Sequence, residues 1–323
     1  MSSIANHLAL IEAEIKKKKF GQEPSSLYEP IRYIMKLGGK RLRPLLTLLS
    51  YSLYKKSVSD IVSYACAVEA FHNFTLMHDD IMDKAPVRRG KPTVHKKWNL
   101  STAILSGDVM LVKVYEIFSG LDADKFKDVV ITFNSCASEV CEGQQWDMEF
   151  EQSSRVNEKE YLEMIRRKTA VLLGFSLELG AILANASEED RKALREFGIN
   201  IGMGFQLRDD LLDAYADPKK FGKQIGGDII ANKKTFLLIK AFENARGKNK
   251  AELNRWLTSS KFNKKEKISA VKQIYDDLKI QRLTEQKIDH FFVRGFKSLD
   301  KLDSSLDTSQ LADFTRSMIN RQI

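Results

Sequence analysis

Apolar residues along this chain recur at helical spacing. In YLEMIRRKTAVLLGFSLELGAIL (161–183), Leu162, Ile165, Val171 with Leu172, Phe175, Leu179 and Ile182 fall on one face, as a helix buried along one side requires. Start signals agree: Asn157 followed by Glu160 reads as a capping box, and Ser187 ahead of Glu188, Glu189 and Asp190 reads as a helix N-terminus. The six prolines leave 93–217 and 219–323 free of helix breakers. No stretch alternates in the manner of a strand or carries an Asn-Gly hairpin turn, so no sheet is expected. With no repeat and no low-complexity linker, the pattern predicts one large all-α domain over 1–323.

Composition narrows the class of molecule. A 43% hydrophobic content supports a large core and excludes a disordered chain. Lys+Arg 52 against Asp+Glu 43 leaves +9, which favours anionic partners: nucleic acid, an acidic membrane or phosphorylated small molecules. Three cysteines (Cys66, Cys136, Cys141) lack zinc-type spacing and read as reduced thiols. MSSIANHLALIEAEIKKKKF reads as an amphipathic helix, not a signal peptide. Charged residues interrupt every apolar run short of the ~18 residues a span needs, so a cytoplasmic protein with no stable membrane insertion is expected.

Two segments carry the chemistry, HNFTLMHDDIMDKAPVRRGKPTVH (72–95) and GFQLRDDLLDAYADPKKFGKQIGGDIIANKKT (204–235). Each contains Asp-Asp-x-x-Asp: Asp79, Asp80 and Asp83, then Asp209, Asp210 and Asp213. On a helix the first and last of each set lie ~40° apart and one turn along the axis. Such carboxylates repel unless something positive lies among them, and magnesium, a hard cation that prefers carboxylate oxygen, suits them. One acidic triplet is common on a solvated face. Two, each after an apolar helical run, point to facing clusters around one diphosphate, because isolated charge at an apolar face is costly.

Cations flank both sets: Arg88 and Arg89 after the first, Lys223, Lys233 and Lys234 after the second. Upstream, Gly38-Gly39-Lys40-Arg41-Leu42-Arg43-Pro44 runs into an apolar helix with Pro44 in its first turn, which offers backbone N–H groups and three cations to an anion. His72 shares the face of Asp79, and Gln206 sits one turn before Asp209 and Asp210. A basic nucleic-acid binder would show a continuous Lys/Arg stripe, whereas these charges cluster at the acidic sites; no nucleic-acid partner is expected.

GGKRLRP, HNFTLMHDDIMD…RRG, GQQWD, RRKTA, GFQLRDDLLD and GDIIANKKT, in this order over about 28–240, resemble the successive motifs of trans-isoprenyl diphosphate synthases, the polyprenyl synthetases. The resemblance implies an all-α helical bundle around a central cavity, usually homodimeric. It implies a prenyltransferase that joins isopentenyl diphosphate head-to-tail to an allylic diphosphate and releases pyrophosphate. By the same resemblance Lys40, Arg43, His72 and Arg89 hold isopentenyl diphosphate. Asp79, Asp83 and Asp209, supported by Asp80, Asp210 and Asp213, hold three Mg2+ ions on the allylic diphosphate, which Arg88, Lys168, Lys223 and Lys233 contact. Thr169 and Gln206, beside Lys168, face the developing cation, and Gln144 and Asp147 line the cavity.

Tail length is set upstream of Asp79. Phe74 stands five residues before it and Thr75 four, with no insertion in the motif, the pattern of short-chain, archaeal-type geranylgeranyl synthases. Thr75, Val68 and Phe71 align with the Asp face better than Phe74, so Phe71 and Phe74 are joint gate candidates beside the alternative that both are core aromatics. A C20 or C15 product is expected, with a longer-chain synthase as the alternative. A class I terpene cyclase pairs one Asp-rich motif with an Asn/Ser/Glu motif, and a regulatory subunit of a heteromeric synthase loses carboxylates; neither fits two complete sets.

Overall fold

A computed structural model describes residues 3–216 and 226–320. Helices dominate, as the periodicity predicts, and the chain forms two compact units. The first draws on the chain up to Ser135, Phe175–Arg195 and Leu302–Leu311; the second draws on Cys136–Gly174, Glu196–Lys301 and the segment from Ala312.

In the first unit, α1 (Ser3–Lys17) is the expected amphipathic helix and buries Ile11 and Ile15. It is followed by α2 (Ser25–Lys36), then α3 (Leu42–Ser52), whose first turn holds Pro44, where the missing N–H would have no intrahelical partner. The helix α4 (Val62–Met82) ends in the first aspartate set and buries the small residues Ala65, Cys66, Ala67 and Ala70 beside larger ones such as Phe71 and Met77. After the short α5 (Val94–Lys97) comes α6 (Leu100–Phe118), which approaches α4 closely at Gly107. A Cβ at position 107 would meet His78 Nε2 at 2.2 Å, so any larger residue there would displace the imidazole from where it rests. The start of α7 (Ala123–Gln152) brings Phe133 into edge-on contact with Phe71 at 5.0 Å and Phe118 at 5.5 Å, favourable aromatic geometry at the centre of this core.

One expectation fails in this unit. Val87–Arg88 (β1) pairs antiparallel with Lys91–Pro92 (β2), a minimal hairpin where no sheet was expected. Its two turn residues, Arg89 and Gly90, have φ 51° and 72°, the left-handed pair that a tight hairpin needs. Strands of two residues are too short to alternate, and an Arg-Gly turn lacks the usual Asn, so the pattern left no trace.

The second unit begins with the end of α7. The capping box forms as expected ahead of α8 (Glu158–Ile165): the Asn157 N–H donates to Glu160 Oε2 at 2.8 Å, and the Glu160 N–H returns to Asn157 Oδ1 at 3.0 Å. The continuous helix expected over 161–183 is interrupted. Arg166–Ala170 forms a π-turn before α9 (Val171–Leu183). Two glycines let neighbouring helices close on that turn. A Cβ at Gly143 of α7 would sit 2.2 Å from the Lys168 backbone N, and one at Gly202 of α10 (Glu188–Tyr215) would sit 2.8 Å from Ala170 Cα. The start of α10 belongs to the first unit, where Ser187 caps it as predicted, accepting the Asp190 N–H at 3.1 Å.

Beyond it lie α11 (Gly227–Ala231), α12 (Phe236–Asn244), α13 (Gly247–Thr258), α14 (Lys264–Asp277), α15 (Ile280–Leu299) and α16 (Ser309–Asn320). Ile229, Leu237, Leu238, Leu253, Val271, Ile274 and Ile280 build a core shared by α11 to α15. None of the three cysteines is in a disulfide, and among the described residues no helix is long and apolar enough to cross a membrane.

Candidate active site

The first aspartate set occupies the last turn of α4 and the residue that follows it. Asp80 is 2% exposed, and both its oxygens accept from Arg88 Nε at 2.9 Å, with Arg88 Nη2 2.8 Å from Oδ1. Nη2 also lies 3.6 Å from Asp79 Oδ2. The hairpin therefore supplies the positive charge that adjacent carboxylates demand, and its tight turn aims Arg88 back at the helix that precedes it. Burial still pushes the Asp80 carboxyl upward, against the opposing pull of Arg88. Asp79 is partly exposed and Asp83 exposed.

The glycine-rich segment contributes less charge than its sequence offered. Arg41, with φ 48°, turns inward and is 4% exposed. Its guanidinium donates to Glu12 Oε1 at 2.7 Å, Glu69 Oε1 at 2.8 Å and the Met35 carbonyl at 2.8 Å. Of the three cations expected at this anion site, Arg41 is thus a structural clamp, while Lys40 is exposed. Arg43 Nη1 lies 3.1 Å from His72 Nε2, and Arg89 Nη1 donates to the Gly38 carbonyl. Burial first, then the neighbouring Arg43 charge, hold the His72 imidazole well below its ordinary value. His72 is therefore neutral; with Nε2 accepting from Arg43, its proton belongs on Nδ1. Lys40, Arg43, His72 and Arg89 belong to this one unit.

The second set lies near the C-terminus of α10. Asp209 is exposed and Asp213 half-buried, whereas Asp210 is 7% exposed with both oxygens engaged. Oδ2 accepts from the hydroxyl of buried Tyr161, and Oδ1 accepts from Gln206 Nε2 at 3.1 Å. Thr169 Oγ1 in the π-turn donates to Gln206 Oε1 at 3.2 Å. Burial, reinforced by nearby Asp228, pushes Asp210 up to about 7. Asp213 accepts the Asp228 backbone N–H at 3.0 Å, at the start of α11. Asp228 itself is pushed up to about 6 by burial and by the charge of Asp213. Asp210, Asp213, Asp228 and Lys233 border a cavity of about 10 Å³, room for one water.

Lys168 Nζ lies 2.5 Å from Asp147 Oδ2, and Lys233 Nζ lies 3.8 Å from the same atom. Burial alone would raise the Asp147 carboxyl, but Lys233 and Lys168 outweigh it and hold it low. Asp147 therefore stays ionised and gathers the two lysines that sequence reading assigned to a diphosphate. Gln144, on the same helix, is half-buried, and its Nε2 has no hydrogen-bond partner among the described residues. Lys223 lies outside the described residues.

Among the described residues, no three carboxylate, imidazole or thiolate side chains converge closely enough to hold a metal ion by themselves. The donor set nevertheless fits magnesium, which is usually bound through one or two carboxylates and completes its shell with water and substrate phosphate. Asp79 and Asp83, one turn apart, offer such a pair, and Asp209 with Asp213 another.

Sequence reading missed Tyr161, Asp228 and the inward role of Arg41. Asp228 stood within the quoted GDIIANKKT, where its acidity beside two lysines was a usable signal. Nothing in the pattern around Tyr161 marked it apart from any other residue of a buried helical face. Phe71, Phe74 and Thr75 are brought together on α4. The Phe71 ring is buried 5.6 Å from Phe74, whose ring meets His78 at 4.8 Å, and Thr75 Oγ1 donates to the His72 carbonyl at 2.8 Å.

Comparison with known proteins identifies the family. The family model for polyprenyl synthetase matches residues 24–278. A geranylgeranyl pyrophosphate synthase from Geoglobus acetivorans is 44% identical over 243 residues, covering 74% of this chain and 76% of the relative. A short chain isoprenyl diphosphate synthase from Methanocaldococcus jannaschii is also 44% identical, over 239 residues, covering 74% and 72%. Among solved structures, a geranylgeranyl pyrophosphate synthase superposes with a TM-score of 0.94 at 42% identity over 100% of both chains. The all-α fold is that of these synthases, and the chain belongs to the polyprenyl synthetase family.

Proposed function

We propose that this protein condenses isopentenyl diphosphate head-to-tail with an allylic diphosphate of C5 to C15 and releases pyrophosphate, with geranylgeranyl diphosphate as the main product. The observation that carries this reading is the presence of two complete aspartate sets, each buried through its middle carboxylate and at least partly exposed through its outer two. The names of the relatives from Geoglobus acetivorans and Methanosarcina mazei support the C20 product, and that of a farnesyl diphosphate synthase from Bacillus subtilis, 41% identical over 234 residues, keeps C15 as the second reading.

Lys40, Arg43 and Arg89 bind the diphosphate of isopentenyl diphosphate, and neutral His72 adds a hydrogen bond through Nδ1 without adding a charge. Asp79, Asp83 and Asp209, supported by Asp80, Asp210 and Asp213, hold three magnesium ions on the allylic diphosphate. When bound, magnesium stabilises the charge that gathers on the leaving diphosphate as the allylic C–O bond breaks. Arg88, Lys168, Lys223 and Lys233 bind the same diphosphate, with Lys168 and Lys233 leaving Asp147 to do so. Thr169 and Gln206 present oxygen dipoles to the cation and no strong nucleophile. The departing pyrophosphate takes the final proton, which accounts for a site without a catalytic imidazole or glutamate. Leu105, Val112 and Ile131 are more than half exposed, and this apolar surface supports a homodimer.

Purified protein with Mg2+, labelled isopentenyl diphosphate and each primer from C5 to C15 tests the reading, with products sized by chromatography. A C20 diphosphate is the expected product; cyclic hydrocarbons or no incorporation would overturn the assignment. Phe74→Ala is expected to lengthen the product, and an unchanged profile would remove Phe74 from the gate.

A further inference from the structure

The hydrogen bonds around Asp210 have a fixed direction. An ionised carboxylate only accepts, and a carboxyl protonated on Oδ2, beside the Tyr161 hydroxyl, still accepts at Oδ1. Its Oδ2 is taken by the Tyr161 hydroxyl, and its Oδ1 by an N–H of Gln206 at 3.1 Å. Gln206 must therefore turn its nitrogen toward Asp210, which leaves its oxygen facing Thr169. The Thr169 hydroxyl then spends its single proton on that oxygen, at 3.2 Å. What remains at the Gln206–Thr169 contact is lone pairs on both oxygens, while the second Gln206 N–H stays at the Asp210 end of the amide. A free glutamine amide would have no such preference, because its oxygen and nitrogen ends are nearly isosteric.

We propose that Tyr161 is a positioning residue for prenyl transfer: its hydroxyl orients Asp210, and Asp210 locks the Gln206 amide with oxygen toward Thr169. The amide and hydroxyl then offer the negative ends of their dipoles to the allylic cation. An amide turned the other way would place N–H groups there, which raises the energy of the cation. Preorganised dipoles of this kind act without reorganising during the reaction. Asp210 serves as the relay in this chain, with both oxygens occupied, while Asp213 accepts the Asp228 backbone N–H. The four residues lie in one unit, on α8, the π-turn and α10, so the relay is complete within it. Gly143 and Gly202 hold the π-turn against the adjoining helices, which fixes where Thr169 meets Gln206.

This role rests on the prenyl-transfer reading, so two measurements separate their failures. The first uses metal-free protein and thermal unfolding of Tyr161→Phe, Asp210→Ala and the double variant. The coupled network predicts that the second substitution lowers the melting temperature far less once the first is present. Additive losses would overturn the relay. If Asp210→Ala does not fold, Asp210→Asn takes its place in the cycle.

The second is steady-state kinetics of Tyr161→Phe, which removes only a hydroxyl. Loss of a charge-assisted hydrogen bond that orients the cation-facing dipoles is expected to lower kcat about tenfold or more, with KM for both substrates unchanged. An unchanged kcat, or a KM that rises alongside, would overturn the positioning role. If the wild-type protein transfers no prenyl group at all, the functional reading fails, while the metal-free cycle still decides whether the four residues are coupled.

Discussion

The two aspartate sets share one spacing and differ in what holds their middle carboxylate. Asp80 is met by a formal charge: Arg88, delivered by the hairpin, covers both oxygens with donors at 2.8–2.9 Å. Asp210 is met by neutral donors alone, the Tyr161 hydroxyl and the Gln206 amide. The consequence is electrostatic. With no directly paired cation, burial carries Asp210 up to about 7. Identical motifs thus solve the same desolvation problem by an ion pair in one case and by a hydrogen-bond network in the other. The ion pair fixes a loop, and the network fixes an amide.

Breaking the ion pair is expected to have the largest effect on stability. Arg88→Ala leaves a buried, unpartnered carboxylate in the first set and should cost about 3 kcal/mol by chemical denaturation, near the low end for a broken buried pair because Arg88 is partly exposed. A cost below ~0.5 kcal/mol, as for a surface pair, would show that the charge at Asp80 needs no counterpart.

The second set is more sensitive to backbone position. Gly143→Ala forces a Cβ to within 2.2 Å of the Lys168 nitrogen, which is backbone and cannot swing away. Overpacking of this kind is expected to cost about 2 kcal/mol and to reduce turnover by displacing Lys168 and Thr169. Wild-type stability and turnover in this variant would mean that the π-turn is not held by α7.

The last comparison is the pH dependence of the metal-free protein. A carboxyl whose folded value is raised binds its proton more tightly folded than unfolded, so it favours folding at low pH and loses that contribution as pH rises. Asp210 at about 7 and Asp228 at about 6 should therefore make stability fall between about pH 4 and 7. Asp147, held low, acts in the opposite sense and loses its contribution only as the solution turns acid. Thermal melts in chelator should show a shallower slope between pH 5 and 7 for Asp210→Asn than for wild type, and equal slopes would show that Asp210 does not titrate there.

What the sequence revealed follows from what each feature depends on. Helical phase, caps and the spacing of the aspartates are local, so α8, α10, the Asn157 box and both acidic sets were legible. Non-local pairing was not. Tyr161 stands 49 residues before the carboxylate it holds, and nothing within its own turn signals the partnership. The π-turn at Arg166–Ala170 keeps the apolar rhythm on either side, so periodicity passes across it unchanged. Arg41 and Arg43 alternate with Leu42 in the same cationic run, yet positive φ sends Arg41 inward to Glu12 and Glu69. The hairpin that presents Arg88 is shorter than any pattern that could announce it.

The most direct measurement compares Asp79→Ala with Asp209→Ala in magnesium-dependent transfer of labelled isopentenyl diphosphate to a C15 primer. If both sets serve one diphosphate, each substitution alone should reduce kcat by roughly a thousandfold or more, as loss of several kcal/mol of transition-state stabilisation implies. Near-wild-type turnover in either variant would show that one of the two sets takes no part in the reaction.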